Sequence, residues 1–186
     1  MVSAFRGLHK LTDILNASFD TPRTGAWDDV SYSDAVYSIQ RTLLDIANNS
    51  HGQLACLDKC CSVGGLIYVN CCLRDVSPTS RGVCDLVSNL VPCLDKVKKQ
   101  QQKLMAGQVN GHWLFWAIFV GAAAARRSSA ADRAKLLGLM AGKITGEPWA
   151  KIEKSLARIC WCEKVGTLVG APLWEEIRGE DGRSWR

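Results

Sequence analysis

From Trp113 to Ala125 the chain reads WLFWAIFVGAAAA, thirteen residues without a charged or amide side chain. A membrane-spanning helix needs about 20 apolar residues, and this run stops at Arg126 and Arg127. A helix with no polar face must then be covered by protein. The run predicts a central buried helix, His112 to Ala125, inside a domain whose other helices supply the cover.

Elsewhere the apolar positions repeat at three- and four-residue intervals, and no segment alternates as a strand does. Leu8 to Leu15 forms a short amphipathic piece, followed by the breakers Pro22 and Gly25. Ser33 is placed to cap a helix with Val36, Ile39, Leu43 and Ile46 or Ala47 on one face, ending at Asn48, Asn49 and a loop at His51 and Gly52. A third helix is predicted from Gln53 to Leu73. Its mid-helix Gly64 and Gly65, each costing up to about 1 kcal/mol relative to alanine, predict a close approach by another helix.

Beyond a loop at Ser77 to Ser80, a fourth helix from Gly82 to Leu104 buries Val83, Leu86, Leu90, Leu94 and Val97, and Pro92 should kink or divide it. Ser129 and Asp132 resemble a capping box opening a helix that ends at Gly142. The next helix opens near Thr145 with Pro148 in its first turn and buries Trp149, Ile152, Leu156, Ile159 and Cys160. A last short helix, Leu173 to Ile177, follows Pro172. The expected fold is all-α, about seven helices around a central apolar one. It comprises a loosely held N-terminal segment (1–24), a helical domain (25–178) and a flexible tail (179–186).

Composition leaves this picture intact. A chain of 186 residues buries roughly 70% of its unfolded surface, so neither disulfides nor metals are required. The apolar share of 47% and charged share of 22% exclude disordered and fibrous classes. The net charge of +5 is spread among acidic residues. Its densest group, Lys96, Lys98, Lys99 and Lys103, falls at a helix end, where cations complement the dipole, and reads as a solvated end before a nucleic-acid contact. No long apolar stretch opens the chain, so the expectation is no signal peptide and an intracellular protein.

Nine cysteines raise metal and disulfide readings, but their spacing supports neither. The count is odd, and none forms a C-x-x-C pair. Cys56, Cys60, Val63, Ile67 and Cys71 follow the buried stripe of a helix, so core packing is the leading reading, ahead of a metal site or redox sensing. Catalytic signatures are missing: no GxSxG, no HExxH, no phosphate loop and no dinucleotide fingerprint. The histidines, His9, His51 and His112, lie in separate segments, and Glu175 with Glu176 suits the start of a short helix. No catalytic, metal or cofactor residue is therefore assigned. Among seven tryptophans, Trp113, Trp116, Trp149, Trp161 and Trp174 recur on predicted helices; they read as core, although indoles facing a cavity would also suit a small apolar ligand.

Several segments, in order, carry a family resemblance: Ser38 to Leu44, Cys60 and Cys61 with Gly65 to Tyr68, a helix ending in Leu94 and lysines, Trp113 to Gly121, Asp132 and Arg133, Trp149, then Leu156, Trp161 and Leu173 to Glu176. Between Ile39 and Ile177 the chain resembles the C-terminal half of the fungal-specific transcription factor domain, the all-helical regulatory region that accompanies a zinc binuclear cluster. The core of that motif is Ile39, Leu43, Ile67, Trp113, Trp116, Phe119, Trp149, Leu156, Trp161 and Trp174. The resemblance implies a nuclear, non-catalytic regulator with protein partners, a second copy or the transcription machinery, and a small-molecule effector, but no membrane. The cluster's C-x2-C-x6-C spacing does not occur here, so DNA is expected to be reached only indirectly or through a missing module. The alternative is a helical interaction or ligand-binding protein without a transcriptional role.

Overall fold

A computed structural model describes residues 1–20, 29–49, 55–104, 111–125, 130–144, 146–163 and 166–181. Among the described residues eight α-helices succeed one another: α1 (Val2–Asp20), α2 (Asp29–Asn49), α3 (Ala55–Tyr68), α4 (Arg81–Leu104), α5 (Gly111–Ala124), α6 (Ala130–Ile144), α7 (Trp149–Ala157) and α8 (Ala171–Asp181). Two π-helical segments join them, Val69–Leu73 after α3 and Gly166–Gly170 before α8. Among the described residues there is no strand, and the all-α class read from the periodicity holds. His51, Gly52, Ser129, Thr145, Pro22 and Gly25 lie outside the described residues.

The centre of the fold is α3, which packs against α2, α4 and α5. Cys60 through Val69 are buried without interruption, whereas in α5 the unbroken run is Trp116 to Ala122, with Trp113 and Phe115 partly exposed. The expectation that α5 alone would be the buried axis is corrected: α5 is the second layer. A helix touched on three sides needs small residues as much as apolar ones, and the Cys60, Cys61, Ser62, Gly64 and Gly65 of α3 meet that need. With its π-helical extension, Ala55–Leu73 is long and apolar enough to cross a membrane by composition, at a mean hydropathy of 1.3, but here it is covered by helices.

The close approach expected at the glycine pair occurs on both sides. A Cβ on Gly64 would lie 2.9 Å from the Ala117 Cβ and 3.1 Å from its Cα, while one on Gly65 would lie 3.0 Å from Leu43 Cδ1. Gly64→Val should accordingly cost about 1–3 kcal/mol, because α5 backbone must move. At the exposed Gly138 of α6 nothing lies within 4 Å of a Cβ, so Gly138→Ala should stabilise by about 0.5–1 kcal/mol. Urea midpoints of the two variants would differ in sign relative to the parent, and a neutral Gly64→Val would refute the tight α3–α5 contact.

Several boundaries differ from the sequence reading. The segment expected to be loosely held is mostly α1, whose Ala4, Phe5, Leu8 and Leu11 join the core; the Phe5 ring meets Trp113 and Trp116 edge-on at 4.8 and 5.4 Å. Helix α4 is not divided at Pro92. Pro92 and Ser88 are both exposed, so the carbonyl that loses its backbone donor faces water. Helix α8 runs to Asp181 in place of ending at Ile177, and α6 runs to Ile144, beyond Gly142.

The predicted continuation of α7 through Cys160 does not form: the helix ends at Ala157, where the Ile159 N–H tightens to the Leu156 carbonyl three residues back. The chain then runs irregularly from 158 to 162, and its buried carbonyls are satisfied from elsewhere. His9 Nδ1 donates to the Ile159 carbonyl at 2.9 Å, Trp116 Nε1 to that of Cys160 at 2.6 Å and Asn16 Nδ2 to that of Trp161 at 3.2 Å. Asn16 Oδ1 also accepts the Glu163 N–H at 3.1 Å. Two α1 side chains seven residues apart, His9 and Asn16, and Trp116 of α5 thus hold the C-terminal segment against the core.

Candidate functional site

Where α3 gives way to the π-helical turn, the Asn70 side chain donates to the Leu66 carbonyl at 2.7 Å, and the Arg74 N–H reaches the Val69 carbonyl at 3.0 Å. The turn closes at Asp75, which takes a left-handed conformation (φ 51°), and the Val76 N–H bonds the Asn70 carbonyl at 2.8 Å. Aspartate tolerates that region better than most residues because its short side chain can bond locally. Cys71, Cys72 and Leu73 of this widened turn line a cavity of about 450 Å³.

Its floor is α5, where Ala123 and Ala124 follow Val120 and are too small to fill the gap. Trp161, Cys162, Leu168 and Val169 form the opposite wall, and Leu15 of α1 closes one end. The second π-helical segment can lie flat against the indoles because Gly170 has no side chain; a Cβ there would stand 2.6 Å from Trp149 Cη2 and 2.8 Å from Trp161 Cζ2. Trp149, Phe119 and Trp161 form a cluster of mutually contacting rings, Phe119 tilted against Trp149 at 6.0 Å and edge-on to Trp161 at 5.5 Å, with the two indoles 6.4 Å apart. The buried indole N–H of Trp161 has no hydrogen-bond partner.

The chemistry of the lining is neutral. Burial pushes the Cys71 thiol up to about 11 and that of Cys72 well above its ordinary range, and it likewise raises the Tyr68 phenol. Tyr68 OH lies 3.1 Å from Thr12 Oγ1, which in turn lies 2.8 Å from Cys160 Sγ, a small buried polar cluster that links α1, α3 and the irregular segment. Asp75, exposed at the rim, is the one carboxylate among the described lining residues, and no lysine or arginine joins it there. A second hollow of about 510 Å³ lies between α1 and α7, but its His9, Thr12 and Asn16 are already engaged with the 159–163 segment.

Of the ten core positions named from sequence, Leu43, Ile67, Trp116, Phe119, Leu156, Trp161 and Trp174 are buried, while Ile39, Trp113 and Trp149 are partly buried and packed against the core. Only Ile67 and Trp161 of these line the cavity. The polar candidates do not converge. His112 lies exposed in the first turn of α5, Asp132 accepts a hydrogen bond from Ser88 Oγ at 2.9 Å, and Glu176 takes both its oxygens to Arg133 Nη2 at 2.7 and 2.6 Å. Glu175 is exposed on α8. Among the described residues no group of three His, Cys, Asp or Glu side chains is arranged to hold a metal ion. Asp75 escaped the sequence reading, since an isolated Asp after a helix is commonplace, and its left-handed backbone is the only local sign of its position.

Comparison with curated proteins and with solved structures returned no match. The family model of the fungal specific transcription factor domain matches residues 31–154, two thirds of the chain, from the first turn of α2 through most of α7. The match begins before Ile39 and ends before Leu156, so Trp161 and the Leu173 to Glu176 ending, which carried part of the resemblance, lie beyond it. Helix α1, the 158–163 segment and α8 lie outside the matched range, and the chain belongs to the fungal specific transcription factor domain family.

Proposed function

We propose that this chain is a non-catalytic regulatory domain that acts in the nucleus, modulating transcription through protein partners without reading DNA itself. The observation that carries the reading is the family match across α2 to α7. The cysteine spacing is consistent with it: the thiols are distributed through α3, α4 and the 160–162 segment and lack the C-x2-C-x6-C pattern of a zinc cluster. A regulator of this kind transmits its signal by contact, through a second copy of the chain or a component of the transcription machinery, and localises with the DNA-binding protein it serves.

The test is to fuse the full chain to a heterologous DNA-binding module and measure output from a reporter carrying that module's site. The fusion should shift reporter output relative to the module alone, up or down, and Trp116→Ala should abolish the shift by unfolding the domain. Reporter output that never responds to a fusion shown to be folded and nuclear would overturn the regulatory reading. A turnover lost on alanine replacement of His112, Asp132, Glu175 or Glu176 in a stably folded protein would replace it with an enzyme.

A further inference from the structure

The cavity under the α3 π-helical turn is large enough for a ligand, since small-molecule sites commonly enclose about 300–1,000 Å³ and are mostly apolar with a few placed polar groups. Three independent segments build it, and each contributes a feature that packing alone does not require. The turn is widened, the α5 floor is made of alanines, and a glycine-flanked π-helical segment leaves Leu168 63% exposed at the cavity. Its electrostatics are one-sided. The thiols of Cys71 and Cys72 are uncharged at neutral pH, and Asp75 is the sole ionised group among the described lining residues. Among the described lining residues an anion would meet this carboxylate and no lysine or arginine.

We propose that this cavity binds a small apolar molecule bearing one protonated amine, its ring body lying between Trp161 and the Val120–Ala124 floor and its ammonium group meeting the Asp75 carboxylate at the rim. The lone carboxylate supplies orientation, and the apolar walls supply most of the affinity. Because the site joins α3 and α5 to Trp161, Cys162, Leu168 and Val169, occupancy ties the C-terminal part of the chain to the matched helices and stabilises the folded chain by mass action. The inference stands apart from the regulatory reading: binding is measured on the isolated protein, so either can fail alone.

The experiment titrates the full purified chain with three matched probes, 1-naphthylmethylamine, 1-naphthalenemethanol and 1-naphthoate, by calorimetry and thermal melting. The amine should bind tightest and raise the melting temperature, the alcohol should bind more weakly, and the carboxylate weakest. Asp75→Asn keeps a residue suited to the left-handed backbone; it should weaken the amine by roughly five- to tenfold and leave the alcohol unchanged. Ala123→Leu should fill the floor and abolish binding of all three probes, with the circular dichroism spectrum confirming the fold. Should that variant not fold, Leu168→Glu at the exposed rim should weaken the alcohol and the carboxylate, and serves the same purpose. Equal affinities for the three probes, or an Asp75→Asn change without effect on the amine, would overturn the assignment of the amine. No detectable binding of any probe at millimolar concentration would overturn the site itself.

Discussion

Replacing Trp116 with alanine should destabilise the domain by roughly 3–5 kcal/mol, a large share of the 5–15 kcal/mol typical of a folded domain. The indole is wholly buried where α1, α3 and α5 meet. It touches Phe5 and Tyr68, its Cζ3 lies beside Gly64, and its Nε1 holds the Cys160 carbonyl at 2.6 Å. Truncation leaves a cavity that the α3–α5 contact is too close to collapse, and it strands a buried carbonyl. The two losses separate experimentally: Trp116→Phe retains most of the packing and should cost about 1–3 kcal/mol, chiefly through the lost hydrogen bond. Urea denaturation of both variants measures the difference. A cost below about 1 kcal/mol for the alanine variant would remove Trp116 from the centre of the fold.

The second large effect is a steep loss of stability in alkali. Burial raises the thiols of Cys61 and Cys160 from 9.0 to about 12. In the unfolded chain these thiols give up their protons near pH 9, whereas in the folded protein they keep them until about 12. The unfolded state then binds fewer protons, so stability falls as pH rises across this window. Below pH 9 both states hold the proton and the contribution is intact. Each such thiol removes about 1.4 kcal/mol per pH unit, so the pair removes about 5 kcal/mol between pH 9 and 11.

Cys93 works in the opposite direction: the hydrogen bond from the Cys60 thiol, with Lys59 and Lys96 nearby, lowers it, while Cys60 itself is held protonated. Its effect is complete by pH 9, which places the onset of the fall there. Urea midpoints measured under reducing conditions from pH 7 to 11 should be flat or rise slightly to pH 9 and then drop. Cys61→Ala should make the drop shallower, leaving the share due to Cys160 and to the likewise raised Cys71, Cys72 and Tyr68. A midpoint independent of pH up to 11 would show that these thiols are not buried as described.

The apolar periodicity of this chain determined that it would be a helical bundle, because its stripes have period 3.6 and no segment alternates as a strand to offer them a sheet, so they are buried against one another. It also marked the residues that fill the core, and Leu43, Ile67, Trp116, Phe119 and Trp161 could be named without coordinates. What it could not rank was centrality. Hydrophobicity singles out the aromatic α5, but the middle of a three-sided packing arrangement goes to the helix whose residues are small, and α3 earns that place through its cysteines and glycines. Likewise α1 reads as a weak amphipathic piece, because half of its anchoring is polar: His9, Thr12 and Asn16 bind a segment about 150 residues away.

The candidate site was legible only in fragments. Trp161 and Ile67 were visible as core, and Cys71 as one position of a buried stripe, but nothing in the spacing showed a shared cavity. That space exists because α3 widens to a π-helical turn, because Asp75 turns the chain with a positive φ, and because Gly170 lets a distant segment lie against two indoles. Sequence periodicity specifies which face of a helix avoids water. It carries no measure of how far two packed segments stand apart, and the cavity, being the distance they fail to close, is a property of the tertiary structure alone.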